Sequence, residues 1–213
     1  MTSNLSDPKS YSELRAAARE QLKGNWGKAV LTCLIFTIIT GLPGMIPAVG
    51  FIISILIFGP LQYGVSKFFL ALSRKEQSDI ETLFDGFKLF TPTMVLGLLI
   101  WLFTALWSLL LIIPGIIAAL SYSQAYFIML DNPGMAATDA IKTSKAMMKG
   151  HKWRFLVLSA TFIGWALLAL LTLGIGYLWL MPYINTTTAN FYNDLKAANA
   201  AIDPIVAVPP ENE

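Results

Sequence analysis

His151 is the only histidine and Cys33 the only cysteine in this 213-residue chain. Catalysis at a membrane surface wants paired carboxylates, a histidine, or a nucleophile held beside a base. The nearest approach is Asp131 and Asp139 upstream of His151 in Lys149-Gly150-His151-Lys152-Trp153, and no motif ties the three together. The chain therefore reads as a non-enzyme with no catalytic residues. One cysteine inside an apolar run permits neither an internal disulfide nor a cysteine-based metal site. No glycine pattern that cradles phosphates or a dinucleotide occurs, so Gly41, Gly44, Gly115 and Gly176 read as turn residues. Neither a metal nor a cofactor is expected, and nothing points to nucleic acid.

Two other sets of residues carry hypotheses. The first is polar and lies inside apolar sequence: Gln62 and Tyr63, Tyr122 and Gln124, then Tyr183, Asn185 and Asn190. Interhelical hydrogen bonds, with hydroxyls returned to the helix backbone, account for such residues. They also fit a pseudo-threefold polar cavity opening to the cytoplasm, with Tyr63, Tyr122 and Tyr183 equivalent, for a lipid headgroup or small polar solute. The second set is the basic stripe Lys142, Lys145, Lys149, Lys152 and Arg154. Each such cation is worth about 1 kcal/mol near an anionic leaflet, so membrane lipids, anionic ones included, are the expected partners. Plain determination of membrane topology explains the same charges.

The elements that must position these residues follow from charge. Charged residues make up 13% of the chain and hydrophobic ones 55%, against roughly 25% charged in soluble domains. Residues 29–66, 89–130 and 155–193 contain no Asp, Glu, Lys, Arg or His. A helix crosses about 30 Å of hydrocarbon in roughly 20 residues, so each run is two crossings long. Helix-ending residues break each run near its middle: Gly41-Leu42-Pro43-Gly44 with Pro47, Pro114-Gly115, and Gly174-Ile175-Gly176. The expected fold is all-α, a polytopic bundle of about six spans in three hairpins, over 28–40, 48–72, 93–113, 116–130, 153–173 and 177–192. Pro60 and Pro182 should kink the second and sixth. All 15 Lys and Arg lie outside the mid-run turns, which puts both termini and both long loops in the cytoplasm. Three re-entrant hairpins that leave by the face they entered fit the same charges. The eight charges in the first 28 residues leave no core for a cleavable signal peptide.

An amphipathic stretch precedes each run. Tyr11, Leu14, Ala18 and Leu22 share one face of the first, behind a capping box at Ser10 and Glu13. Ile80, Leu83, Phe84 and Phe87 do so in the second, and Ala137, Ala140, Ile141, Ser144 and Met148 in the third. All three read as interfacial helices at headgroup depth. Each ends at a glycine, Gly24, Gly86 and Gly150, spaced 62 and 64 residues apart, while Tyr63, Tyr122 and Tyr183 are spaced 59 and 61. The pattern suggests three copies of one unit, about 11–73, 78–130 and 135–196, between flexible ends at 1–10 and 197–213.

The segments LRAAAREQLKGNWGKAV, LIIPGIIAALSYS, DNPG, SKAMMKGHKWRF, FIGWALL, GIGYLWLMPY and NFY, in that order over about residues 11–195, resemble the bacterial membrane proteins grouped as the domain of unknown function 975 family. The resemblance implies a multi-span cytoplasmic-membrane protein and no activity. Gly24, Trp26, Pro114, Gly115, Tyr122, Asp131, Pro133, Gly150, Trp165, Gly174, Pro182, Tyr183 and Tyr192 fall on its shared positions as structural markers. Such domains look distantly like the membrane region of some glycerophosphodiester phosphodiesterases, whose catalytic domain is absent here. A scaffold, or a lipid- or solute-handling module, is the leading expectation, with a facilitative channel or transporter as the alternative.

Overall fold

A computed structural model describes residues 8–46 and 49–202, and among these the secondary structure is helical throughout. Helix α1 (Tyr11–Leu22) starts at Ser10, whose hydroxyl accepts from the Glu13 amide while the Glu13 carboxylate accepts from the Ser10 amide. Gly24, at φ +79, turns the chain into α2 (Trp26–Gly41), which leaves α1 at 99°. After a 3₁₀ turn at Leu42–Met45 come α3 (Val49–Ser73), a second 3₁₀ turn at Ile80–Phe84, the single turn α4 (Asp85–Lys88) and α5 (Phe90–Leu110). The rest comprises α6 (Ile112–Tyr122), α7 (Ala125–Asp131), α8 (Ala137–Met147), α9 (Lys152–Ala160), α10 (Ile163–Leu171) and α11 (Tyr177–Ile202).

Four stretches are long and apolar enough to cross a membrane: Ile52–Ser73, Phe90–Leu110, Ile112–Asp131 and Lys152–Leu171. The bent pair α1 and α2 would make a fifth. Leu102, Leu106, Leu167 and Leu171 are all exposed, and an apolar face of that size suits hydrocarbon better than water.

Several sequence expectations need correction. The second hairpin turns at Leu111, in extended conformation, rather than at Pro114-Gly115. Pro114 sits in the first turn of α6, where an amide hydrogen has no helical partner to lose. Gly115 lies there because a Cβ would come 2.2 Å from Ser108 Oγ. The third hairpin does turn where expected, over residues 172–176, with Leu173 and Gly174 at positive φ, and Gly176 also lets α11 approach Ala169. The span expected over 116–130 is two helices broken at Ser123 and Gln124, and that over 153–173 is broken at Thr161 and Phe162. Helix α11 continues beyond residue 196 to Ile202. At the other end Lys9 and Ser10 are tied down, the Lys9 amide donating to Asp194. Residues 1–7 and 203–213, the remainder of the expected flexible ends, lie outside the described residues.

The three glycine markers are not one device. Gly24 and Gly150 have positive φ and open surroundings, whereas Gly86 sits inside α4 where a Cβ would lie 2.0 Å from Pro60 O. Nor is the second amphipathic stretch one helix with one apolar face. Leu83 is buried while Phe84 and Phe87 are exposed, and Phe87 stacks on Phe90. The apolar faces of α1 and α8 were read correctly, but they pack on protein. Leu14, Ala18 and Leu22 meet α11 and α3, and Ala137, Ala140 and Ile141 meet α5 and α7.

Close approach along α3 sets the core. A Cβ on Gly59 would lie 2.3 Å from Thr93 O, and one on Gly64 1.9 Å from Leu83 O. Small residues at such crossings let helix backbones touch, which is how helices gain packing where lipid gives no hydrophobic drive. Phe68, Phe69, Phe127 and Tyr192 fill the space between α3, α7 and α11.

Candidate functional site

The α6–α7 break builds a polar interior. Breaking a helix frees amides and carbonyls that hydrocarbon cannot satisfy. Ser144, from α8, supplies what is missing: its hydroxyl accepts from the Gln124 amide at 3.2 Å and donates to Ser121 O at 2.7 Å. Gln124 is fully buried, its amide nitrogen donating to Ser123 Oγ at 2.9 Å.

Beside this break, α3, α5, α6 and α7 enclose a cleft of about 530 Å³. Gln62, Thr104, Ser108, Tyr122, Ser123 and Tyr126 give it polar groups, and Phe58, Ile100 and Trp101 give it apolar walls. No charged residue lines it. Two of its hydroxyls, on Thr104 and Tyr126, are buried and have no hydrogen-bond partner among the described residues. Thr104 is unlike Thr32, Thr37, Thr93 and Thr186, each of which donates to a carbonyl one turn back. A buried polar group left unpaired costs about 1–3 kcal/mol, so these two hydroxyls are a cost carried in the packing behind the cleft.

The seven polar residues singled out from sequence do not gather round one cavity. Gln62 and Tyr122 line the cleft, and Tyr63 packs in the same core as Tyr122 and Tyr126. Tyr183 is elsewhere, edge-on to Phe162 at 5.2 Å. It lines an apolar groove of about 400 Å³ with Trp26, Trp165 and Trp179. Asn185 donates to Met181 O. Asn190 exchanges two hydrogen bonds with Gln21, at 2.8 and 3.0 Å.

The Gln21–Asn190 pair belongs to a charged latch that sequence reasoning missed. Asp131 accepts from both terminal nitrogens of Arg74 at 2.8 and 2.7 Å, from Tyr192 Oη at 2.9 Å and from Lys196 Nζ at 2.7 Å. Arg74 Nε donates to Asn193, which donates to Ser73. The latch joins the ends of α3 and α7 to α11. Hydrogen bonding to Asp131 outweighs burial and holds the Arg74 pKa above its ordinary value. The one signal for the latch was Asp131 standing at the end of an uncharged run, and its partners lie 57 to 65 residues away.

Lys67, the charge that ends the first uncharged run, pairs with Asp85 at 2.7 Å. Burial raises the Asp85 pKa, but hydrogen bonds from Lys67 and Lys88 more than offset it and leave the carboxyl below its usual range.

The basic stripe divides. Lys142 pairs with Asp139 at 3.1 Å. Arg154 turns inward to Asp194 at 2.6 Å and lies over the Phe191 ring. Lys149 is exposed, while Lys145 and Lys152 border one small cleft. His151 is held below its ordinary pKa by burial and by Arg154.

An uncharged, partly polar cleft in a bundle of apolar helices, with its ion pairs gathered at helix ends, describes a membrane-type helical protein. The family comparison agrees: residues 1–117 and 109–199 match the family described as "Protein of unknown function (DUF975)", and the chain belongs to that family. No curated protein and no solved structure matches it.

Proposed function

We propose that the protein is a multi-pass protein of the bacterial cytoplasmic membrane that holds the uncharged, hydrogen-bonding portion of a lipid or small solute in the α3–α5–α6–α7 cleft, without covalent chemistry. Its three hairpins cross six times, with both termini in the cytoplasm. One observation carries the reading: a 530 Å³ cleft that no charge lines has Gln62, Ser108, Tyr122 and Ser123 among its lining residues beside apolar walls. Such sites are mostly apolar with a few well-positioned polar groups. The non-enzymatic part is supported by the engagement of the ionisable groups nearest to a catalytic pattern. Asp131 is bound by three partners, and His151 lies beside Arg154 and Asp194. A channel is less favoured, since Gln62, Tyr183 and Asn190 lie in three separate surroundings rather than along one pore.

The test is mass spectrometry of lipids and small molecules retained by the protein in native membrane particles. The wild type is expected to enrich one compound class, and Gln62→Leu with Tyr122→Phe to retain about tenfold less, as two lost hydrogen bonds predict. Equal retention by the double variant, or no enrichment by the wild type, would leave the scaffold reading in its place.

A further inference from the structure

We infer that Lys145 and Lys152 form a binding site for the headgroup phosphate of an anionic phospholipid. Both lysines border a cleft of about 200 Å³ whose apolar wall is Trp107, Pro114, Ile117 and Ala118. They are seven residues apart, and the turn after α8 brings them to the same cleft. Gly150, at φ +85 in that turn, adopts a conformation that other residues resist.

Charge selects the occupant. Of the five basic residues in this stretch, Lys142 and Arg154 already hold carboxylates. Lys145 and Lys152 make no ion pair or hydrogen bond among the described residues, and no carboxylate lines their cleft. Lys152 is half-buried. A cation drawn against apolar surface without a counter-charge is costly, and an anion entering the cleft offsets that cost. The apolar wall favours a lipid over free phosphate. Ile113, Ile116 and Ile117 on α6 are exposed, so the acyl chains have an apolar helix surface to follow. A zwitterionic headgroup brings its own ammonium and loses part of the attraction, which makes the site selective for net negative lipids. This inference rests on the membrane reading above, but not on the Thr104 and Tyr126 cleft.

The experiment uses the full-length protein reconstituted into bilayer nanodiscs of mixed phosphatidylglycerol and phosphatidylcholine, with native mass spectrometry of the retained lipid as the readout. The wild type is expected to retain phosphatidylglycerol over phosphatidylcholine. Lys145→Gln with Lys152→Gln should weaken that retention about 30-fold. Lys145→Arg with Lys152→Arg should keep it, and Lys142→Gln with Lys149→Gln should cost no more than about threefold. Unchanged thermal midpoints establish that the variants fold, and Lys145→Gln alone, at an exposed position, serves if the pair does not. Equal losses in the two Gln pairs overturn the site in favour of diffuse attraction. Binding of inorganic phosphate with the same lysine dependence, but no phosphatidylglycerol preference, overturns the lipid assignment. A wild type that enters bilayers yet retains both lipids alike ends the inference while the membrane reading stands, whereas failure to enter bilayers ends both.

Discussion

Replacing Asp131 by alanine lowers the stability of the folded protein by about 3 kcal/mol, near the lower end of what removing one partner of a buried ion pair costs. The carboxylate side chain is 8% exposed and takes four hydrogen bonds, from Arg74, Tyr192 and Lys196. Its loss strands the Arg74 guanidinium at 29% exposure and leaves the Tyr192 hydroxyl without its acceptor. Lys196, at 48%, can return to water, which is why the expected loss is not larger. Arg74→Ala should cost less than Asp131→Ala, because two donors to the carboxylate remain. The double variant should fall well short of the sum of the two, as residues of one network do. Denaturant or thermal unfolding in detergent reads all three; additivity would mean that the latch does not act as a unit.

Gly64→Ala is the second large effect, and two opposing terms decide its sign. In a helix interior alanine is favoured over glycine by about 1 kcal/mol. At Gly64 the new methyl would sit 1.9 Å from Leu83 O and 2.4 Å from the Leu83 carbonyl carbon, both backbone atoms that cannot rotate away. The segment holding Leu83 must then separate from α3, and overpacking of this kind costs about 1–3 kcal/mol or more. The clash wins, with an expected net loss of about 2 kcal/mol. Gly164→Ala in α10 is the matched control, because a Cβ there meets nothing within 4 Å. It should leave the protein unchanged or slightly more stable. A harmless Gly64→Ala would show that α3 and the Leu83 turn are not in backbone contact.

The helices were legible because charge is a one-dimensional signal. Runs without ionised groups marked the apolar helices, and glycine and proline marked breaks near the right positions. Pro114 misled because proline serves equally to end one helix and to begin the next, and Leu111, the residue that turns, has no special chemistry. The break at Ser123 and Gln124 was illegible for a related reason: its stability comes from Ser144 on another helix. The cleft was half visible. Gln62 and Tyr122 stood out as polar residues in apolar sequence, but Thr104 looked like any helical threonine, and only its missing backbone hydrogen bond sets it apart. Tyr183, placed with Tyr63 and Tyr122 on spacing alone, packs in a different core. The latch was least visible, since an Arg and an Asp 57 residues apart carry no mark of their pairing.

Accessibility of the hairpin tips from outside the cell tests the six-crossing arrangement most directly. Leu111 and Leu173, exposed at the turns of the second and third hairpins, are each replaced by cysteine in a Cys33→Ala background. Both should react with a membrane-impermeant maleimide on intact cells. Cysteine at Glu76, exposed beyond the end of α3, should react only after the cells are opened. Silence at both tips, with reaction at residue 76 upon lysis, would contradict the crossings and leave hairpins that enter and leave by the cytoplasmic face.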